Sequence, residues 1–188
     1  SLISFLYHES SKVRVSVLEY IENLNKINLL QALEERIPAE NDSVVLNKML
    51  RLYCKFGTLD SIETVSKYIE HEDSFIKEGA IVGLLQHCGI DGVLVAGKVL
   101  NSLFESNNKE DSLTALNILN NLSMPSFYNP LKDSLNSEDK EIKSIAIAVV
   151  GNLKFKKLLP VLLENLERDD YRSITVSSLI KFRTSIFN

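Results

Sequence analysis

The residues Pro125 to Leu153, PSFYNPLKDSLNSEDKEIKSIAIAVVGNL, decide the fold. Pro130 precedes Leu131 and Leu135, an apolar pair spaced for one face of a helix. Proline costs little near a helix start, where its missing N–H would lack a partner anyway. A charged turn follows, Asn136-Ser137-Glu138-Asp139. Ile142, Ile145, Ala146, Val149, Val150 and Leu153 then form an apolar stripe at helical spacing. Ala146, Ala148 and Gly151 are small enough to let a neighbouring helix come close. The pattern predicts a helical hairpin.

Phe155 to Phe182 repeats the pattern. Pro160 opens a Val161-Leu162-Leu163 run, Glu167-Arg168-Asp169-Asp170 makes the turn, and Tyr171-Arg172 matches Ile142-Lys143. Working backwards from this apolar-then-basic step gives the anchors Arg14, Leu46, Lys77, Ser112, Lys143 and Arg172. They recur about every 30 residues, below the roughly 40 of standard two- and three-helix repeats. Leu46 and Ser112 break the basic column. The second helices are expected at Lys12 to Leu24, Val44 to Phe56, Ser74 to Cys88, Glu110 to Leu122, and in the two copies above. Leu2 to Tyr7 reads as the tail of a truncated first helix, and Asn28 to Ile37, Leu59 to Glu70 and Ile90 to Glu105 as first helices. Asp42 or Ser43 is expected to cap the second hairpin's inner helix, with Gly57 closing it and Gly89 closing the next.

The recurring pattern resembles HEAT repeats. That resemblance implies a ladder of turn aspartates and second-helix Arg or Lys, with second helices lining a concave side. The fold expected is all-α: a right-handed α-solenoid of about six HEAT-like hairpins, the first truncated. Residues 1–188 would form a single solenoid domain, a fragment of a larger protein. Four residues after each anchor come Leu18, Leu50, Ile81, Leu116, Ile147 and Val176. All are aliphatic and are expected to pack between adjacent hairpins. The next column is Glu19, Arg51, Val82, Asn117, Ala148 and Ser177; a further one is Asn23, Lys55, Gln86, Asn121, Asn152 and Lys181. From these the partner-binding candidates are Glu19, Arg51, Asn117, Asn121, Asn152, Ser177 and Lys181, with a plain solvated face as the alternative.

Composition narrows the function. The 188 residues are 45% hydrophobic and 24% charged, with net charge −4 and no tryptophan. An acidic chain does not suit nucleic-acid binding, which requires a basic face. Two cysteines, Cys54 and Cys88, make no disulfide framework and fit a reducing, cytoplasmic setting. The apolar stretch Ala80 to Gly97 is interrupted by Gln86, His87 and Asp91, so no direct membrane insertion is expected. His71, Glu72 and Asp73 are adjacent on a turn and diverge, so no metal site is expected. His87 and Cys88, neighbours in sequence near a helix end, do not face each other as base and nucleophile. Ser126-Phe127-Tyr128 is expected to pack between hairpins. No catalytic residue, cofactor or glycine-rich phosphate loop is expected.

A second resemblance rests on Gly89-Ile90-Asp91-Gly92-Val93-Leu94-Val95-Ala96-Gly97, continuing through Ser126-Phe127-Tyr128 to Gly151-Asn152-Leu153. This block is similar to the HEAT segment of bacterial ATP/ADP-translocase-like transporters that also carry a cyclic-nucleotide-binding domain. It implies a cytosolic connector, part of an inner-membrane protein, whose partners include other domains of the same chain. Spans encoded upstream of Ser1 would mark such a connector. The leading expectation is a non-enzymatic protein–protein interaction or scaffold module. The alternatives are a HEAT-fold chromophore lyase or maturation factor and a HEAT-fold DNA glycosylase. The glycosylase would need a basic groove and aromatic stacking residues. Apolar residues near both ends, Leu2, Ile3, Phe5, Leu6, Ile186 and Phe187, lead us to expect end-to-end self-association.

Overall fold

Four of the inner helices begin where an aspartate or asparagine side chain takes up N–H groups that would otherwise have no partner. In the computed structural model Asp42 accepts from Val44 and Val45 N–H, Asp73 from Phe75 and Ile76, and Asp139 from Glu141 and Ile142. Asn108 accepts from Glu110. The structure describes residues 2–24, 29–57, 60–122 and 127–183. It is all-α, an α-solenoid of paired helices, with no strand among the described residues. Two compact units divide the chain, 1–102 and 103–188.

In the first unit a 3-10 helix, Leu2–Tyr7, precedes α1 (Ser11–Leu24). Then α2 (Leu30–Arg36) pairs with α3 (Ser43–Phe56), and α4 (Asp60–Ser66) pairs with α5 (Ser74–His87). The boundary between the units falls late in α6 (Gly89–Glu105). The second unit holds α7 (Lys109–Asn121), α8 (Tyr128–Leu135), α9 (Lys140–Leu153), α10 (Leu159–Glu164) and α11 (Asp169–Arg183). The first helix of the last hairpin is a composite, because 3-10 turns at Lys156–Leu158 and Asn165–Glu167 flank α10. Asn28, Leu59, Pro125, Ser126, Ile186 and Phe187, named in the sequence reading, lie outside the described residues.

Second helices pack directly on one another: α3 on α5 in the first unit, and α7 on α9 on α11 in the second. Glycines permit the approach. A Cβ on Gly79 would stand 2.6 Å from the Asn47 Cα, and one on Gly151 2.5 Å from the Ser178 Cβ. Polar side chains lock the same contacts. Asn47 donates to the Phe75 carbonyl at 2.6 Å, and Ser178 to the Ile147 carbonyl at 3.0 Å. The apolar column is fully buried at Leu18, Leu50, Ile81, Leu116 and Ile147. Val176 departs from it, at 44% exposure. On α11 the buried side chains are Tyr171, Thr175, Ser178 and Phe182, on the face turned towards α9. Val176 points away from that contact, and no later described helix covers it.

The ladder differs from the expected column. Its first rung is a buried pair: Arg14 holds Glu40 through two 2.8 Å bonds, from Nε to Oε2 and from Nη2 to Oε1. Arg36 adds a 3.2 Å contact. Glu40 also accepts from the Asn41 and Asp42 N–H groups. In the second unit the rungs come from the residue that opens the helix, three before the anchor. Lys109 bridges to Asp139 at 3.0 Å and to Glu141 at 2.8 Å, and Lys140 bridges to Asp170 at 2.8 Å. Lys143 is instead buried over the Tyr171 ring, 5.2 Å from its centroid. Burial, helped by the Arg168 charge, lowers its pKa. Both glycines expected to close helices stand at those ends. Gly57 caps α3 in an extended conformation (φ −84°, ψ −178°), where a Cβ would sit 2.5 Å from the Tyr53 oxygen. Gly89 has a left-handed φ of 59° and opens α6, with Cys88 as the α5 cap.

Burial pushes the Glu40 carboxyl up, but the Arg14 hydrogen bond, the Asp42 N–H and the charges of Arg14 and Arg36 outweigh it and hold the pKa below its ordinary value. A carboxylate with a depressed folded-state pKa stabilises the fold above its unfolded pKa and loses that contribution as pH falls through the folded one. The first unit should therefore weaken on acidification below the usual carboxylate range. Glu40→Gln should remove much of this acid sensitivity and cost about 3 kcal/mol at neutral pH, because it leaves Arg14 buried without its counter-charge. Urea melts of both proteins across that range measure it. Gly79→Ala should destabilise by about 2 kcal/mol despite alanine's better helix propensity, because the clash is with backbone. The midpoint of chemical unfolding gives the value.

Candidate functional site

The candidate residues sit where α-helical geometry repeats a surface position about every fourth residue. In the first unit Glu19 on α1 is exposed and Arg51 on α3 is half-buried. The two line one cavity of about 210 Å³, together with Glu22, Asn47, Lys48 and Phe75. Lys48 reaches Glu19 at 3.5 Å and Glu22 at 3.4 Å, and Lys55 reaches Glu22 at 3.8 Å. This gives a strip of alternating charge along α1 and α3. Such exposed pairs add little to stability, about 0–1 kcal/mol each, so they leave the strip free to exchange contacts.

Arg51 also acts inward. Burial raises the pKa of Glu78 on α5, and the Arg51 charge opposes that rise. Burial also lowers the pKa of His87, followed by the charges of Lys55 and Arg51, with Glu22 opposing. The positive side of the strip therefore reaches α5. Of the α5 residues in the two named columns, Val82 is fully buried and Gln86 is exposed, next to an exposed His87.

In the second unit the candidates form a polar seam. Asn121 donates to the Asn117 carbonyl at 3.0 Å on α7. Asn152 on α9 donates to Asn120 on α7, and Lys181 on α11 donates to Asn152. Ser177 donates to the Ser173 carbonyl at 3.0 Å within α11. The sequence did not mark Asn120, because it falls outside the columns drawn from the anchors. The structure therefore brings Asn152 and Lys181 into contact and sets Asn117 and Asn121 one turn apart.

His71 and Asp73, weighed for metal chemistry, have other partners. His71 Nδ1 accepts from the Asp73 N–H at 3.0 Å, its ring stacks on Tyr68, and Asp73 caps α5. Among the described residues no group of three His, Cys, Asp or Glu side chains is placed to hold a metal ion. No described helix is long and apolar enough to cross a membrane. Phe127 packs near Phe104, with centroids 6.3 Å apart, and Tyr128 stacks on Phe155 at 6.0 Å, as expected of residues lying between helices.

No family model matches the chain, and no curated protein matches it. Among solved structures it is similar to an engineered protein at 16% identity, with 97% of this chain and 95% of that chain covered and a TM-score of 0.46. It is also similar to a designed armadillo repeat protein in complex with the peptide (KR)4, at 14% identity, with 96% of this chain and 98% of that chain covered and a TM-score of 0.43.

Proposed function

We propose that the chain is a non-enzymatic interaction module that binds a peptide segment of a protein partner along its second helices. The observation that carries this reading is the polar surface those helices keep outward from an apolar stack. In the first unit it is the charged strip of Glu19, Glu22, Lys48 and Arg51, and in the second the Asn120, Asn152 and Lys181 seam. Helices fix the backbone beneath these side chains, so a partner meets a surface that has already lost much of its entropy. Amide side chains offer donor and acceptor together and suit an extended peptide's alternating N–H and C=O groups. Mixed charge favours a protein partner over a phosphate backbone.

A finer version makes the chain a cytosolic connector within a nucleotide-transporter-like membrane protein. It rests on the resemblance of the Gly89 to Gly97 block alone. The reading also includes association of the 188-residue chain with its own copies. Leu2 and Phe5, at 38% and 48% exposure, open with Val13, Val17 and Tyr20 onto an apolar groove of about 610 Å³. Leu6, counted with them in the sequence reading, is fully buried. Leu163, Val176 and Ile180 are exposed on the last hairpin at 45%, 44% and 59%.

Peptides selected from a random library against the chain should shift the amide resonances of Glu19, Asn117, Asn152 and Ser177. Glu19→Lys and Lys181→Glu should each weaken, by about tenfold, the peptides whose shifts map to that residue's own unit. Selected peptides that map elsewhere, or that bind both variants unchanged, would remove the assignment. Sedimentation should show reversible self-association at high concentration that Phe5→Ser suppresses. A strictly monomeric chain at millimolar concentration would defeat that part.

A further inference from the structure

The two cysteines lie 34 positions apart in sequence, yet the fold brings them together. Cys54 is in the last turn of α3, 2% exposed. Cys88 is the residue between α5 and α6 and is partly exposed. The two side chains lie near enough to influence each other electrostatically. Gly83 makes this possible: the α3 and α5 backbones are so close there that an added Cβ would lie 3.1 Å from the Cys54 sulfur and 3.2 Å from the Arg51 Cα. A third group joins them. The Ser61 hydroxyl on α4, itself 2% exposed, lies 3.9 Å from the Cys88 sulfur. Cys88 also stands at the start of α6, where its carbonyl accepts from the Gly92 N–H at 3.1 Å. The positive end of that helix's dipole favours an anion at this position.

The two thiols are not equivalent. The influence of Cys54, with help from Ser61, outweighs burial and holds the Cys88 thiol down to about 7. The same pairing, with burial, pushes Cys54 up. Cys88 is therefore the accessible thiol and the readier to ionise, and Cys54 is its buried partner.

We propose that Cys88 is an oxidation site for hydrogen peroxide and that Cys54 resolves it into an intramolecular disulfide. The Cys88 thiolate attacks one peroxide oxygen. The S–O bond forms, the O–O bond breaks, and the departing hydroxide takes up a proton to leave as water. Sulfur loses two electrons and peroxide gains them. The Cys54 sulfur then attacks the Cys88 sulfenic acid. The S–S bond forms as the S–O bond breaks, and the departing hydroxide takes the Cys54 proton and leaves as a second water. In sum, two thiols and one peroxide give one disulfide and two waters. The bond would tie the end of α3 to the α5–α6 corner, next to Arg51 and Lys55 of the charged strip. It does not depend on the interaction reading above.

The test treats the whole chain with hydrogen peroxide under native conditions. Both thiols should disappear from a colorimetric titration and return with dithiothreitol. The intact mass should fall by two hydrogens, one proteolytic fragment should join Cys54 to Cys88, and the chain should stay monomeric at low concentration. In Cys54→Ser, checked as folded by circular dichroism, Cys88 sulfenic acid should accumulate and be trapped by dimedone. In Cys88→Ser, oxidation of the remaining thiol should slow by at least about tenfold. Thiols that survive in the wild-type chain, a disulfide only between chains, or equal oxidation rates in the wild type and Cys88→Ser would each overturn the proposal. The wild-type fragment map decides the matter even if a variant fails to fold.

Discussion

The close approach of one second helix to the next is the constraint on which the rest of the structure depends. Gly79 over Asn47, Gly83 over Cys54 and Arg51, and Gly151 over Ser178 leave no room for a methyl group without movement. Dispersion and burial reward such contact only at short range, so small residues set how well the apolar columns interlock. At this separation Leu50, Ile81, Leu116 and Ile147 are shut off from water, while polar side chains reach the neighbouring carbonyls. A wider spacing would open the columns and leave Asn47 and Ser178 without partners. The same spacing, at Gly83, draws Cys54 in against the helix that ends at Cys88.

Much of this was legible in the sequence, for local reasons. Asp42, Asp139 and their equivalents follow breaks in apolar periodicity and precede its return, which is the signature of a capped helix start. Their capping role follows from a few neighbouring residues and needs no tertiary knowledge. The ladder was harder to place. The anchor column was drawn from the apolar-basic step, but the exposed rungs are made by Lys109 and Lys140, one turn earlier. Lys143 follows an isoleucine as the pattern requires, yet packs on Tyr171. Its long apolar stem makes either outcome possible, and which one occurs depends on what the next helix places opposite. Val176 fails for a related reason: a column buried between hairpins needs a hairpin on both sides.

The candidate surface was half legible. Glu19 and Asn152 are outward because helical periodicity puts them opposite the apolar stripe. Asn120 was missed because a side chain can lean across a seam from the edge of its own column. The cysteine pair carried no signal at all. Cys54 and Cys88 fall at different distances after their anchors, Leu46 and Lys77, so no repeat column contains both. Their approach depends on how closely α3 settles against α5, which carries Cys88 at its end.

The rungs of the second unit have one more property. Each links the lysine opening one inner helix to a carboxylate at the start of the next, first Lys109 to Asp139 and then Lys140 to Asp170. Cation and anion always lie in the same order, so the row has an arrow. A hairpin laid on it back to front would place lysine opposite lysine, and aspartate opposite aspartate. Bonds this exposed are too weak to hold the stack together, yet their vectorial order lets them reject an inverted neighbour that the apolar columns alone would accept.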